Sequence, residues 1–290
     1  MVEAEFISAL RALATGPAAR GLRDDAAVLE IGGETLVLTQ DTIVSGVHIR
    51  ADEDPADIAW KLVAVNLSDL AAKGAQPVGV LISHMLGEGD ARFIAGLAEV
   101  LRAFDVPLLG GDTTASGGAQ RSWGCTALGR ATHHPVPDRR GAKAGDAIWV
   151  TGTLGLAMLG LDEAERNTGS AGDLAYRRPR PLLDEGMSLA PSVTAMMDVS
   201  DGLLLDCRRM AEASTVSFHL DSESFPVADA ARADACVRWG DDYQLLFTAS
   251  PEARLPLAAT QIGVVGPLDS EPLLVDGRAP LGNLGYQHMS

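Results

Sequence analysis

The residues with the clearest capacity for chemistry are aspartates at positions where a carboxylate is unusual. Asp69 follows Ile58 by eleven residues in a segment of helical periodicity, so the two lie on nearly the same apolar face. A carboxylate on such a face costs several kcal/mol unless a partner neutralises it, and neither Lys61 nor Lys73 is well placed to do so. We interpret Asp69 as either a cation ligand or a locally hydrogen-bonded residue near the helix end.

Further aspartates follow apolar segments that we predict to be strands. Asp41, Asp112 and Asp198 each come just after such a segment, and strand ends in α/β folds converge on the sheet edge where ligands bind. The pairs Asp24-Asp25 and Asp241-Asp242 add more carboxylates. Each aspartate alone is more often a turn or capping residue, but the set lacks matching Lys or Arg. The set therefore predicts a shared pocket that contains cations.

The donor atoms predict which cation the pocket would take. Pockets made of carboxylate oxygens suit Mg²⁺ or Mn²⁺, whereas zinc prefers His and Cys. His133 and His134 precede a proline-containing linker, where a solvated loop is the simpler interpretation. We therefore expect clustered Mg²⁺ ions whose coordination is completed by substrate phosphates.

The standard phosphate-binding motifs do not occur: the sequence contains neither G-x-x-x-x-G-K-[ST] nor G-x-G-x-x-G. Residues 152–155 (GTLG) lie between a predicted strand and a predicted helix, so their amides could bind an anion or form only a tight turn. Residues 110–114 (GGDTT) indicate more, because two glycines allow close backbone approach immediately before Asp112.

The composition excludes several classes of function. The 290-residue chain has a formal net charge of −16 and 47% apolar residues, so it should fold and should be repelled by nucleic acids and anionic membranes. No apolar run approaches the ~18 residues that span a bilayer, and the acidic Glu3 and Glu5 are unlike an export signal. The scattered cysteines Cys125, Cys207 and Cys236 favour a reducing compartment, so we expect a cytoplasmic protein.

The elements that must position the aspartates mix helices and strands on both sides of one break in composition. Residues 135–146 are basic and rich in Pro and Gly, which predicts two domains, 1–135 and 136–290. Asp54 followed by Pro55 predicts the start of a helix that Gly74 ends. The pattern also predicts helices over 90–104 and 203–213, and strands over 35–39, 106–109, 147–151, 194–197 and 243–248. Both halves are thus mixed α/β.

Taken together, these segments resemble the thiamine-monophosphate kinases, which belong to the superfamily of aminoimidazole ribonucleotide synthetase. The matching segments run in the family's order over nearly the whole chain. They are residues 24–27, 41–48, 64–72, 110–114, 126–130, 145–146, 151–155, 198–203 and 240–243.

The resemblance implies ATP-dependent phosphorylation of thiamine monophosphate to thiamine diphosphate, the last step of thiamine diphosphate biosynthesis. It also implies an α+β (mixed α/β), two-domain, aminoimidazole-ribonucleotide-synthetase-like fold. In that fold an N-terminal α/β sheet domain forms a homodimer and a C-terminal α+β domain covers the nucleotide. Direct in-line transfer without a phosphoenzyme is expected, because the attacking phosphate oxygen is already anionic and needs no catalytic base.

By motif position, the resemblance implies a set of functional residues, with Asp41, Asp112 and Arg130 as the catalytic ones. The residues implied for Mg²⁺ are Asp25, Thr39, Gln40, Asp41, Asp69, Asp112, Asp198 and Asp201. Those implied for ATP are Gly111, Asp112, Arg130 and Ser200, and those for thiamine monophosphate are His48, Asp241 and Tyr286. Loss of Asp41 or Asp112 is expected to remove most activity.

Four positions depart from the family pattern. Arg23 stands where Gly is common, Gln40 where Thr is frequent, and Ala115 where Arg often follows. Asp241 replaces the usual Glu and shortens the reach to substrate by one methylene, roughly 1.5 Å. The main metal carboxylates are retained, which favours an active enzyme over a weakened paralogue.

Other functions remain alternatives at this point. Another ATP-dependent enzyme of the superfamily, such as an aminoimidazole ribonucleotide synthetase, would share the handling of ATP and Mg²⁺. The selenophosphate branch needs a reactive cysteine near the N-terminus, and the carbamoyl-dehydrating branch needs a C-terminal cysteine; this chain has neither. A two-metal phosphatase would hydrolyse its substrate, and a regulatory paralogue would bind ATP without turnover.

Overall fold

The computed structural model describes residues 3–115, 117–118, 120–164 and 169–288, whose strands form two sheets. The helices are α1 (Glu3–Leu10), α2 (Pro55–Ala72), α3 (Asp90–Ala103), α4 (Leu156–Ala164), α5 (Ala171–Arg177), α6 (Leu183–Leu189), α7 (Leu203–Ser214) and α8 (Ala233–Trp239). The strands are β1 (Ala27–Ile31), β2 (Glu34–Val44), β3 (Ala75–Leu86), β4 (Leu108–Ala115), β5 (Ser122–Ala131), β6 (Ala147–Val150), β7 (Ala195–Asp198), β8 (Ser217–Leu220), β9 (Leu245–Ala249), β10 (Thr260–Gly266) and β11 (Leu273–Val275). Short 3₁₀ turns span Pro17–Leu22, Ser222–Ser224 and Ala230–Arg232.

The first sheet has the strand order β1-β2-β5-β3-β4. Strands β3 and β4 run parallel, and the other neighbouring pairs are antiparallel. One face packs against α2 and α3 in a core that includes Leu62, Phe93, Ile82 and Cys125. Along the edge strand β4 every residue is exposed. The first sheet is therefore covered by helices on one face and open on the other.

The second sheet has the strand order β11-β8-β10-β6-β9-β7. Its neighbouring strands are antiparallel except for the parallel pair β8 and β11. Helix α7 packs on it through Leu203, Leu204 and Met210, which share a core with Ile148 and Phe218. The second sheet thus has its own hydrophobic core.

Helix α2 contacts both halves of the molecule. The Asp54 side chain accepts a hydrogen bond from the Ala56 backbone N–H at 2.8 Å, Pro55 occupies the first turn, and Gly74 follows the helix with a φ of +57°. The predicted start and end are therefore confirmed. Near its C-terminal end, Ala71 and Ala72 pack against residues of the second half, so the helix connects the two cores.

Two predicted strand ends were wrong. Asp41 lies inside β2, which continues to Val44, and Asp112 lies inside β4, which continues to Ala115. The polar residues that suggested an end pair normally in the sheet, where residues exposed on one face cost little. The prediction for Asp198 differs by one residue, because Asp198 is the last residue of β7 instead of the residue after it.

The other predicted elements correspond to observed ones. Helices over 90–104 and 203–213 are confirmed as α3 and α7, and the strand predicted over 147–151 as β6. The predicted domain boundary at 135/136 lies in the connection between β5 and β6 and stays a prediction. Within the described ranges, no helix is both long and apolar enough to cross a bilayer.

Candidate active site

A cleft of about 1770 Å³ is lined by residues from both halves of the molecule. Its lining residues come from β2, α2, the end of β7, α7 and the segment 286–288. A pocket for one small ligand typically measures roughly 300–1,000 Å³. This cleft therefore has room for two small molecules side by side.

Carboxylates from several elements meet in this cleft. One oxygen each of Asp25, Asp69 and Asp198 lies within 4.8 Å of the others. Asp41 also lines the cleft, and its backbone N–H donates to Asn66 Oδ1 at 2.9 Å, which fixes β2 against α2. We call Asp25, Asp41, Asp69 and Asp198 the carboxylate cluster. The structure thus brings together four of the predicted metal-binding residues.

Three members of the cluster have raised pKa values. Burial, together with the Asp41 and Asp198 carboxylates, raises the pKa of Asp69 well above its usual range. Burial raises the pKa of Asp198 to about 6, with a further contribution from Asp41. Burial and the Asp201 carboxylate raise the pKa of Asp41. Burial is the largest cause of all three shifts, and the like charges of neighbouring carboxylates add to it.

Two carboxylates of the cluster accept hydrogen bonds from hydroxyl groups. The Thr39 hydroxyl donates to Asp69, which places this predicted residue at the edge of the cluster. The Ser68 hydroxyl donates to Asp198 Oδ2 at 2.6 Å. Neither hydroxyl cancels charge, and in the described part of the chain no Lys or Arg forms an ion pair with Asp69 or Asp198. An all-oxygen set with unbalanced charge fits Mg²⁺ or Mn²⁺.

The other end of the cluster has its own cations, which the sequence interpretation missed. Lys73 Nζ lies 2.5 Å from Asp24 Oδ1 and 2.9 Å from Asp25 Oδ2, and Arg139 also pairs with Asp25. Arg20 lies 2.5 Å from Asp24 Oδ2. Although burial opposes ionisation, Lys73 and Arg20 lower the pKa of Asp24. The expectation that the aspartates lack matching cations was therefore wrong for Asp24 and Asp25, and it was also wrong for Asp241, which pairs with Lys61.

Two further predicted residues lie in the connection between β7 and α7. Ser200 lines the cleft directly after β7. The carboxylate of Asp201 also faces the cleft and pairs with Arg209. Arg209 in turn lies 3.1 Å from the fully buried Asp206, whose pKa is raised to about 7 by burial and by Asp201. Arg209 thus holds the Asp201 carboxylate, next to the predicted ATP-binding residue Ser200, in place.

A second group of predicted residues lines another part of the same cleft. Asp241 Oδ2 lies 2.5 Å from Lys61 Nζ on α2, and Asp241 Oδ1 accepts a hydrogen bond from the Tyr243 hydroxyl at 2.9 Å. Asp241 and Tyr243 both have positive φ, 60° and 51°, in the loop after Gly240. This strained backbone directs the Asp241 carboxylate toward Lys61 on α2, with the Tyr243 hydroxyl on its other oxygen.

Aromatic rings form the neighbouring wall. The His48 ring centroid lies 6.3 Å from that of Tyr286 and 5.2 Å from that of His288, and the last two are 5.0 Å apart. His48 Nδ1 accepts a hydrogen bond from the Val44 backbone N–H at 3.0 Å, so a neutral His48 carries its proton on Nε2. Burial and His288 lower the pKa of His48, which favours that neutral form. His48, Asp241 and Tyr286, predicted to bind one ligand, thus line one cleft.

Comparisons with known proteins agree with this geometry. The family of AIR synthase related proteins matches through its N-terminal domain over residues 23–131 and its C-terminal domain over 143–262. The thiamine-monophosphate kinase of Escherichia coli (strain K12) is 33% identical, covering 93% of this chain and 92% of the relative. That of Caulobacter vibrioides is 38% identical, covering 83% and 75%. A solved structure described as AaThiL complexed with AMPPCP and TMP is 27% identical, with a TM-score of 0.89 over 99% of this chain and 97% of the other.

The chain belongs to the thiamine-monophosphate kinase family. The predicted fold class is thereby confirmed, because both AIR synthase related domains match and the whole chain superposes on a solved family structure. Membership also favours the kinase over the other superfamily enzymes that the sequence left open.

Several predicted residues lie away from the cleft in this kinase-family chain. Residues directly opposite each other on neighbouring strands share a face of the sheet. Asp41 lies opposite Cys125, which faces the helices, whereas Gln40 lies opposite Thr126 and Asp112 opposite Ser83, on the open face. The predicted metal-binding set is therefore divided between the two faces of the sheet.

Of the remaining predicted ATP-binding residues, Arg130 lies on the open face and Gly111 lies in the edge strand β4. The exposed Arg130 lies with its Nε 2.8 Å from Glu34 Oε2. Gly111 lies in β4, where a Cβ would come within 1.9 Å of the Ile82 carbonyl oxygen, so its smallness allows β4 to approach β3. The cleft within one chain contains neither residue.

The turn at residues 152–155 does not form an anion site with its two last amides. The Gly155 N–H donates to Asp242 Oδ1 at 2.7 Å, and the Leu154 N–H donates to the Pro226 carbonyl at 2.8 Å. The tight-turn interpretation is therefore the one that fits. Burial raises the pKa of Asp242 well above its usual range, and its Oδ1 holds the turn through the Gly155 N–H.

Sequence reasoning missed the cations of the site and one aromatic ring. These residues are Lys61, Lys73, Arg139, Arg209 and His288. A signal existed for His288, which stands two residues after the predicted Tyr286. Lys61, Lys73 and Arg139 gave no such signal, because their partners are distant in sequence, whereas Arg209 lies only three residues after Asp206.

Proposed function

We propose that this chain transfers the γ-phosphoryl group of ATP to the phosphate of thiamine monophosphate, giving ADP and thiamine diphosphate. The observation that carries the proposal is the carboxylate cluster, with its unbalanced charge, in a cleft with room for two small molecules. Family membership supports the same activity, and the similar solved structure holds AMPPCP and TMP.

The residues proposed to hold Mg²⁺ are those of the carboxylate cluster, with Thr39 at its edge and Asp201 on a further ion. When bound, Mg²⁺ would neutralise phosphate oxygens and align them. Three members of the cluster have raised pKa values, which supports this role because a divalent cation supplies the missing positive charge.

The chain's own side chains would bind and orient the two substrates. Ser200 would donate its hydroxyl to ATP from the connection between β7 and α7, where Arg209 holds the neighbouring Asp201. His48, Asp241 and Tyr286 would bind thiamine monophosphate in the adjoining part of the cleft, where the Asp241 backbone N–H donates to the Ser200 carbonyl at 2.8 Å. No side chain is needed as a base, because the attacking phosphate oxygen is already anionic, so catalysis consists of alignment and charge neutralisation.

We also propose that the active form is a homodimer, formed through the open face and the edge strand of the first sheet. Leu81 is 40% exposed there, and Leu108 and Leu109 are 49% and 50% exposed. An exposed apolar edge strand is a template for pairing with another chain. Packing of a second copy on this face would give Gln40, Asp112 and Arg130, which lie there, a place in a composite site.

The proposal also includes a domain boundary and a cellular compartment. The domain boundary is placed at 135/136, between the last strand of the first sheet and the first strand of the second. The cytoplasm is proposed as the compartment because Cys125, Cys207 and Cys236 are buried as free thiols.

The test is a product assay with ATP, Mg²⁺ and thiamine monophosphate that resolves ADP, free phosphate and thiamine diphosphate by chromatography. The proposal predicts ADP and thiamine diphosphate in equal amounts. Free phosphate in place of thiamine diphosphate would indicate a hydrolase. ATP binding without any product would indicate a regulatory paralogue.

A further inference from the structure

Lys61 is a buried cation directed at one residue of the cleft. It lies on α2, is 2% exposed, and its Nζ is 2.5 Å from Asp241 Oδ2. Its Nζ also lies 4.4 Å from the centre of the Tyr176 ring, where a cation–π contact holds it. The Tyr176 hydroxyl accepts a hydrogen bond from the Arg50 backbone N–H at 3.2 Å. Lys61 is thus held in place before any ligand enters.

Asp241 is oriented from two sides. Lys61 contacts one carboxylate oxygen, and the Tyr243 hydroxyl donates to the other at 2.9 Å. Each carboxylate oxygen can accept more than one hydrogen bond, so both remain able to receive a donor from a ligand. The Asp241 side chain is 25% exposed and lines the cleft beside His48.

Burying the Lys61–Asp241 pair costs free energy that a purely apolar contact at the same position would not cost. Burying Lys61 removes its ammonium from water, and the pair with Asp241 offsets this only through good geometry. An apolar residue at position 61 would pack on α2 without that cost. The Lys61–Asp241 pair lies in the wall of the cleft. Asp241 is one methylene shorter than the Glu usual at this position in the family, so its carboxylate has less reach. Both features indicate that Lys61 fixes the orientation of this carboxylate.

We propose that Lys61 is a positioning residue for thiamine monophosphate, fixing the Asp241 carboxylate in the orientation that receives this substrate. This inference rests on the proposed function and assigns to Lys61 a role in the acceptor subsite. A carboxylate held on both oxygens loses less conformational freedom when the substrate binds. Lys61 therefore acts through Asp241 and contributes to the binding of one substrate only.

The test compares steady-state kinetics of the wild-type protein with Lys61→Met, Lys61→Arg, Asp241→Asn and the double variant Lys61→Met/Asp241→Asn. KM is measured separately for thiamine monophosphate and for ATP, and melting temperature reports on folding. Arg92→Met is the matched control. Arg92 lies on α3 and forms an exposed ion pair with Asp54, which caps α2, the helix that carries Lys61. Arg92 does not line the cleft.

Lys61→Met is expected to raise KM for thiamine monophosphate about 10-fold, the scale of one lost charged hydrogen bond, with KM for ATP within 2-fold. Lys61→Arg should restore most of the loss. In the Asp241→Asn background, Lys61→Met should add less than 2-fold, because the residue through which it acts is already changed. Arg92→Met should match the wild type.

Three results would overturn the inference. An unchanged KM for thiamine monophosphate in Lys61→Met would show that Asp241 needs no cation. Equal changes in both KM values, or independent losses in the double variant, would show a general structural role. If Lys61→Met does not fold, the KM values for thiamine monophosphate and for ATP are compared for Lys61→Arg against the wild type, and for the double variant against Asp241→Asn. A wild type without thiamine diphosphate product would refute the proposed function as well.

Discussion

At the scale of residues, the cluster carboxylates connect metal binding to pH. The folded-state pKa of Asp198 is about 6, above its usual 3.8. Between these values the folded state binds more protons than the unfolded state, so the free energy of unfolding falls as pH rises through about 6. Bound Mg²⁺ would replace the protons, so we predict that 10 mM Mg²⁺ raises the melting temperature more at pH 8 than at pH 5. Thermal melts of the wild type and Asp198→Asn measure this, and a shift that is equal at both pH values in the wild type would contradict it.

At the scale of elements, helix α2, which carries Asp69, packs against α6, the helix that precedes β7 and its Asp198. A Cβ at Gly186 in α6 would lie 2.0 Å from the Ala71 carbonyl oxygen of α2, so the helices could not keep their distance. We predict that Gly186→Ala lowers the free energy of unfolding by about 1–3 kcal/mol, as for other overpacked contacts. Urea unfolding measures it, with Gly16→Ala, which meets nothing within 4 Å, as control. Equal stability of the two variants would refute the close packing.

At the scale of the whole molecule, the open face of the first sheet should associate with a second copy. Leu81→Asp places a charge on that face and should shift sedimentation from dimer toward monomer while lowering activity, because a buried unpaired charge is costly. Leu268→Asp is the control, since Leu268 is 58% exposed outside the strands of the first sheet. A wild type that sediments as a monomer with full activity would contradict the dimer proposal.

The limits of sequence reasoning follow the same three scales. Motif order was enough to predict the fold class and nine residues that line the cleft. Local signals such as Asp54 before Pro55 were enough to predict where α2 begins, because they are set by neighbouring residues. The face on which Asp112 lies depends on strand register, and an apolar pattern does not specify where β4 ends. The pairing of Lys73 with Asp24 depends on tertiary packing between residues 49 positions apart. Local sequence therefore does not determine on which face of a sheet a residue lies, or with which distant residue it forms an ion pair.

The central claim is that the carboxylate cluster carries the transfer of the phosphoryl group. The most direct measurement is the rate of thiamine diphosphate formation against Mg²⁺ concentration for the wild type and Asp69→Asn. Asp146→Asn is the control, because Asp146 is a buried aspartate, hydrogen-bonded to Thr194 and outside the cleft. The account predicts a loss of about 100-fold or more in Asp69→Asn, equivalent to roughly 2.7 kcal/mol, with Asp146→Asn close to the wild type. Wild-type rates in Asp69→Asn at every Mg²⁺ concentration would contradict it.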